Sequence, residues 1–95
     1  MPRVLFNGQV IAESEKTIVI EGNHYFPPSA LKSEHFTPNT QHTVCPWKGV
    51  ASYFDVSAGG ERVVSAAWVY SEPSRAAMRI KDHVAFYRHK VDVQV

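Results

Sequence analysis

Short apolar runs alternate with polar and turn-forming residues along the chain, a pattern typical of a domain built from β-strands. Residues 1–12 predict a hairpin around Asn7-Gly8, because this dipeptide tolerates the positive φ angles of a type I′ turn. Residues 17–26 are rich in β-branched and aromatic side chains around Gly22-Asn23. They predict a second hairpin of the same kind.

Proline and polar residues make the next segment irregular. Pro27-Pro28 cannot supply the amide hydrogens that a strand needs, so the second hairpin should end there. Residues 29–32 predict one helical turn capped by Ser29, and residues 33–39 predict a loop. Residues 40–44 then predict a strand.

The second half of the chain contains the two best-defined strand patterns. Residues 50–56 alternate between apolar and mixed faces, and Gly59-Gly60 then predicts a turn. Residues 62–70 follow as the expected longest strand. Because both of its faces are apolar, we expect this strand to be central and covered on both sides.

One helix is predicted near the C-terminus. It should begin near Ser71, which can cap exposed amides, with Pro73 in its first turn, and it should continue through residues 75–80. Residues 84–87 and 91–95 complete the pattern as a final pair of strands.

About eight short strands and one short helix predict an all-β fold. The chain is 95 residues long, which is the size of one hydrophobic core, so we expect a single domain over residues 1–95. Two small antiparallel sheets packed roughly orthogonally would account for the glycine and proline residues at the predicted corners.

Composition narrows the classes of partner. The net charge is +1, from ten basic and nine acidic residues without a basic stripe, so nucleic acid is not an expected partner. The single cysteine cannot form an internal disulfide, and neither a signal peptide nor a long apolar run is present. We therefore expect a soluble cytoplasmic protein that does not contact membranes, and its small size makes a homodimer reasonable.

Residues 45–54 hold the densest chemistry in the chain. Cys45 would be a nucleophile or redox thiol if a neighbouring charge stabilised its thiolate, and otherwise a small half-buried strand residue. Lys48 could anchor a carboxylate or phosphate or attack a carbonyl group, and otherwise would be a solvated turn residue. Gly49 would leave the backbone beside it open to a ligand.

Aromatic residues are the candidates for a ligand pocket. Tyr25, Trp68 and Tyr70 combine an apolar face with a polar tip, which suits the wall of a binding cleft, although aromatic residues of small β domains are more often core. Trp47 and Tyr53 are weaker candidates for the same role.

Metal and cofactor chemistry is not predicted. The five histidines show no zinc-ligand spacing with a third ligand nearby: His24, His35, His42, His83 and His89. His42 lies three residues before Cys45, so strand geometry should place the two side chains on opposite faces.

Four spaced blocks of the sequence resemble the small bacterial family known as domain of unknown function 427. The resemblance covers nearly the whole chain, and four blocks carry it: Glu21 to Pro28, Thr43 to Tyr53 around the Cys45-Pro46-Trp47-Lys48-Gly49 motif, Ala66 to Tyr70 with Pro73, and Val84 to Tyr87.

This resemblance implies a β-tent fold, in which two antiparallel sheets are joined at one end and separate at the other around a ligand cleft. Relatives by fold hold zinc through paired Cys-x-x-Cys motifs, and Cys45 alone cannot provide such a site. The family also carries a nucleotidyltransferase-like label. The chain has neither the Gly-Ser with paired aspartates nor the glycine-rich loop of that chemistry, so that activity is not carried over.

The main hypothesis is therefore a small-molecule binding domain whose cleft is lined by Tyr25, Trp68 and Tyr70, with Lys48 and Cys45 nearby. The first alternative is an enzyme that uses Cys45 or Lys48 as a nucleophile. The second is a protein-interaction module.

Overall fold

A computed structural model describes all residues, 1–95, and contains nine β-strands and three short 3₁₀ segments. The all-β prediction is confirmed. The strands are β1 (Arg3–Phe6), β2 (Gln9–Glu13), β3 (Ile18–Ile20), β4 (Asn23–Tyr25), β5 (Phe36–Cys45), β6 (Gly49–Ala58), β7 (Glu61–Val69), β8 (Val84–Phe86) and β9 (Asp92–Gln94). The 3₁₀ segments are Pro28–Ala30, Ser33–His35 and Arg75–Ile80.

All strand pairs are antiparallel, and the strands form a three-stranded sheet ordered β2-β1-β9 and a four-stranded sheet ordered β5-β6-β7-β8. The β3-β4 hairpin is paired on its own. Phe26, directly after β4, exchanges two backbone hydrogen bonds of 2.8 and 2.9 Å with Val84 of β8. This bridge attaches the hairpin to the free edge of the four-stranded sheet.

Both predicted N-terminal hairpins are present. Asn7 and Gly8 have φ angles of 50° and 77°, as the type I′ prediction requires. In the second hairpin the turn residues are Glu21 and Gly22, with φ angles of 54° and 79°, so the turn begins one residue earlier than predicted. Because of this shift, Glu21 lies at the exposed tip of the hairpin.

The loop predicted for residues 33–39 is wrong after residue 35. Ser33–His35 forms a 3₁₀ turn, and β5 begins at Phe36 and includes Pro38. Proline is tolerated there because β5 is an edge strand and needs no amide on its outer side. Ser29 is also not a cap, since the preceding 3₁₀ turn already begins at Pro28 without any side-chain capping bond.

The strand that contains Trp68 is interior, as predicted. β7 lies between β6 and β8, and its residues 65–69 are all buried, so both faces of its second half are covered. It is not the longest strand, because β5 and β6 each have ten residues and β7 has nine.

The helix predicted after Ser71 is displaced and of another type. Arg75–Ile80 consists of 3₁₀ turns joined across a kink at Ala77, preceded by Ser74 rather than Ser71, with no side-chain cap. Without a capping bond and with only six residues, an α-helix would lack enough internal hydrogen bonds to offset its nucleation cost. No helix in the structure has the length and apolar character needed to cross a bilayer.

The last two strands do not pair with each other, contrary to the prediction. β8 pairs with β7, whereas β9 pairs with β1 in the N-terminal sheet, where Val93 lies opposite Val4. The chain between them turns through a backbone hydrogen bond of 3.1 Å from the Val91 amide to the Tyr87 carbonyl. Alternation predicted the strands correctly, but it contains no information about their partners.

Two apolar clusters lie on opposite faces of the four-stranded sheet. β8 shows the division clearly, since Val84 and Phe86 belong to one cluster and Ala85 to the other. The first cluster joins this sheet to the N-terminal sheet. The second contains most of the predicted site residues: Tyr25, Tyr53, Trp68 and Tyr70, with Cys45 and Tyr87 packed against it.

Candidate functional site

The turn between β5 and β6 places Lys48 against the aromatic cluster. Gly49 has a φ angle of 116°, and a Cβ there would lie 3.4 Å from the Glu72 carbonyl oxygen. The Ser74 amide donates a hydrogen bond of 2.9 Å to the Lys48 carbonyl, and the Ser74 hydroxyl donates one to the Trp47 carbonyl. The space beside Gly49 is thus filled by residues 72–74 rather than open to a ligand, and the turn is held so that Lys48 points inward.

Lys48 is buried rather than solvated. Its side chain is only 8% exposed, and its Nζ atom lies 5.3 Å from the ring centroid of Trp47 and 5.7 Å from that of Tyr70. The ammonium donates a hydrogen bond to the Glu21 carboxylate, whose own side chain is 53% exposed. We call these four residues, Glu21, Trp47, Lys48 and Tyr70, the Lys48 site.

Electrostatic interactions favour the ionised forms of both Lys48 and Glu21. Burial lowers the pKa of Lys48, but the Glu21 hydrogen bond and the electrostatic interactions with Tyr25, Tyr70 and Glu21 outweigh that effect, so the pKa is raised. The Lys48 hydrogen bond lowers the pKa of Glu21, and the Trp47 side chain adds a smaller effect in the same direction. Burial raises the pKa of Tyr70 to about 12. At neutral pH the site therefore contains one ammonium, one carboxylate and a neutral phenol.

Beneath the Lys48 site, Trp68 and Tyr25 form a hydrogen-bonded aromatic pair. The Trp68 indole Nε1–H donates a hydrogen bond of 3.1 Å to the Tyr25 hydroxyl, and the rings meet edge to face with centroids 6.2 Å apart. Tyr25 is completely buried and Trp68 is 8% exposed. Satisfying the indole donor within the cluster lets both large rings be buried without an unpaired polar atom.

Tyr87 belongs to the same cluster, and sequence analysis missed it. Its ring centroid lies 4.5 Å from that of Trp68, and its ring stacks on Tyr53 at 6.3 Å. The Tyr87 and Tyr53 hydroxyls lie 3.2 Å apart, and burial together with this hydrogen bond raises the pKa of Tyr87 to about 12. Its position at the end of the apolar segment 84–87 was the available signal.

Cys45 is the one free thiol and is partly buried at the end of β5, opposite Gly49. It packs against the aromatic cluster. His42 is exposed, and its Nδ1 atom lies 2.9 Å from the Thr40 carbonyl oxygen. The strand register between the two residues is regular, so their side chains lie on opposite faces of β5.

The structure brings Tyr25, Lys48, Trp68 and Tyr70 together, as the sequence hypothesis requires, but packs them against one another. Four surface cavities are present, and none is lined by these residues. The largest, about 440 Å³, lies between residues 5–8 and 88–92. Ligand binding by the predicted residues stays a prediction that requires part of the Lys48 site to move.

Sequence analysis also missed a buried polar network around Asp55. Its carboxylate accepts hydrogen bonds from Asn39 Nδ2 at 2.7 Å, from the Ser65 amide at 3.0 Å and from the Arg62 guanidinium. These bonds, that of Arg62 first, lower the pKa of Asp55 to about 2. An aspartate within an apolar strand was the available signal. Elsewhere, no three His, Cys, Asp or Glu side chains converge to hold a metal ion.

Comparison with known families gives a match over almost the whole chain. The family model described as "Domain of unknown function (DUF427)" matches residues 2–95. The match covers the Lys48 site, the aromatic pair and the Asp55 network. No curated protein matches the chain.

Proposed function

The chain belongs to the DUF427 family, whose function is unknown, and on that premise we propose that the domain binds a small organic anion at the Lys48 site. The observation that carries the proposal is the position of the Lys48 ammonium, which is buried beside two aromatic rings. Burying an ammonium is costly unless an anion pairs with it. The Lys48 position is therefore suited to recognising a negative group.

Each residue of the Lys48 site would contribute to ligand binding in a different way. Lys48 would donate a charge-assisted hydrogen bond, and Trp47, which is 40% exposed, offers the accessible aromatic face. Tyr70 closes the buried side of the site. Tyr25 and Trp68 form the layer of aromatic rings beneath the site.

A single partly buried thiol, Cys45, is compatible with a reducing compartment such as the cytoplasm.

A thermal-shift screen of organic anions tests the proposal. A ligand present at 100 times its Kd raises the free energy of unfolding by about 2.7 kcal/mol. Lys48→Met should abolish the shift for anions. The matched control is Lys16→Met, which removes an exposed lysine that has no side-chain partner. Equal shifts in both variants would refute a role for the buried ammonium.

A second candidate function, contact with another copy of the chain, is favoured by the exposed edge strand β5. Val44 on this strand is 75% exposed and lies opposite Val50, which is 50% exposed. No charged side chain protects residues 40–45, and the net charge of +1 gives two copies little mutual repulsion. Sedimentation of the wild type and of Val44→Lys tests this candidate. A dimer that Val44→Lys dissociates supports it, and a monomeric wild type at all concentrations refutes it.

A further inference from the structure

We propose that the Glu21 carboxylate occupies the position of the ligand's own anionic group, so that the β3-β4 turn is a displaceable lid and the ligand is a monocarboxylate with an aromatic or apolar body. This inference rests on the proposed function and extends it to the ligand class and to the way the site opens.

The two partners of the ion pair differ in exposure. The Lys48 side chain is 8% exposed and held by a turn that Ser74 fixes through two hydrogen bonds, whereas the Glu21 side chain is 53% exposed. The Glu21 carboxylate is already about half exposed, so moving it fully into water changes its hydration little. Lys48 stays buried, so when Glu21 moves away another anion must pair with the Lys48 ammonium. An external carboxylate exchanges for Glu21 without leaving a buried charge unpaired.

The β3-β4 turn has few contacts that would hold it in place. Both strands are three residues long, and although Ile20 of β3 is buried in the aromatic cluster, Glu21 and Gly22 at the turn are exposed. Besides the Lys48 bond and the weaker interaction of Glu21 with the Trp47 side chain, the turn accepts one long hydrogen bond of 3.4 Å, from the exposed Arg88 side chain to the Gly22 carbonyl. Short, exposed segments with few buried contacts open at low free energy.

The base of the hairpin, in contrast, is anchored. Phe26 is bridged to Val84 through two backbone hydrogen bonds, and Tyr25 accepts the Trp68 indole hydrogen bond. Glu21 and Gly22 at the exposed turn can thus move while Ile20, which is buried in the aromatic cluster, and the Tyr25–Trp68 pair stay in place. The space that Glu21 vacates lies next to the exposed face of Trp47, which would contact the apolar body of the ligand.

The single positive charge of Lys48 favours a ligand with a single carboxylate. Lys48 is the one cation buried at the site, and in the closed state one carboxylate neutralises it. A dianionic phosphate would bring a second negative charge that has no buried partner, which is costly at a site of low polarity. A neutral amide would leave Lys48 unpaired.

Benzoate, benzamide and phenyl phosphate are suitable probes, because they share one ring and differ in charge. Binding is measured by isothermal titration and by Trp fluorescence for three proteins: the wild type, Glu21→Gln, and Glu61→Gln, which is the control at an exposed residue. Removing the internal competitor should tighten benzoate binding about tenfold, which corresponds to 1.4 kcal/mol. Glu61→Gln should bind like the wild type, and benzamide should bind none of the proteins.

If Glu21→Gln fails to fold, Glu21→Asn serves in its place, because asparagine tolerates the φ angle of 54° at this position. Melting curves confirm that each variant is folded. Equal benzoate affinity in wild type and both Glu21 variants would overturn the lid while leaving the proposed function intact. Tighter binding of phenyl phosphate than of benzoate would overturn the monocarboxylate class. Absence of any anion binding through Lys48, in every variant, would overturn the proposed function itself.

Discussion

The Asp55 carboxylate accepts a hydrogen bond of 3.0 Å from the backbone amide of Ser65, a residue with a φ angle of 51° inside β7. Residues 64–66 of β7 lie opposite Asp55 alone, and residues 39–41 of β5 lie opposite Tyr53 alone, so two bulges face each other across β6. Asn39 and Ser65 connect both bulges to the same carboxylate. Asp55 thus satisfies the Ser65 amide, a backbone donor that the bulge in β7 removes from the strand ladder.

The first prediction concerns this carboxylate. Asp55→Asn should lower the free energy of unfolding at neutral pH by about 2 kcal/mol, because it removes charge-assisted hydrogen bonds from a buried group. Denaturant unfolding measures the change. Asp92→Asn, at an exposed position, is the control and should change stability little.

The pH dependence follows from the same group. The pKa of Asp55 is about 2 in the folded protein, below its ordinary value of 3.8. A lowered pKa stabilises the fold above the ordinary value, and this stabilisation is lost as the pH falls from about 4 to about 2. The wild type and Asp55→Asn should therefore converge in stability near pH 2. A constant difference across this range would contradict the assignment.

The second prediction separates the roles of Trp68. Trp68→Ala should destabilise the protein by about 3 to 5 kcal/mol, because a large buried ring is removed. Trp68→Phe keeps most of the apolar volume and deletes the donor to Tyr25, so we expect a loss of about 1 to 2 kcal/mol. Melting curves must accompany each binding assay. Near-native melting of Trp68→Phe with unchanged anion affinity would limit Trp68 to a structural role.

The third prediction tests the turn that positions Lys48. Gly49→Ala should destabilise the domain by more than about 1 kcal/mol, because it combines a φ angle of 116° with a Cβ 3.4 Å from the Glu72 carbonyl oxygen. Gly60→Ala is the matched control, since its φ angle is also positive at 83° and its Cβ would meet no atom within 4 Å. Chemical denaturation compares them. Equal losses would show that crowding at residue 49 is unimportant.

The fourth prediction is an alkaline titration of the tyrosines. Burial raises the pKa of Tyr70 and of Tyr87 to about 12, so two of the four tyrosines should ionise near that pH. A raised pKa stabilises the fold below the ordinary value of 10.0, and the stabilisation is lost as the pH rises toward 12. Tyrosinate absorbance follows the ionisation. Tyr70→Phe should remove one of the late-titrating groups, and full ionisation near pH 10 in the folded protein would refute the prediction.

Local sequence determined the features that depend on neighbouring residues. Asn7-Gly8 and Gly59-Gly60 set their turns because glycine and asparagine accept positive φ angles. Alternation located β6, and apolar residues on both faces located the interior β7. The residues of the predicted site also converge, since Tyr25, Lys48, Trp68 and Tyr70 share one region of the fold.

Tertiary structure decided the pairings between distant residues. The partnership of Lys48 with Glu21 spans 27 positions, and that of Tyr87 with Tyr53 spans 34. Both depend on which strands pair and in which register, and the local alternation of side chains does not encode these choices. For the same reason the sequence indicated that Lys48 could meet an anion, while only the folded chain showed that Glu21 already occupies that position.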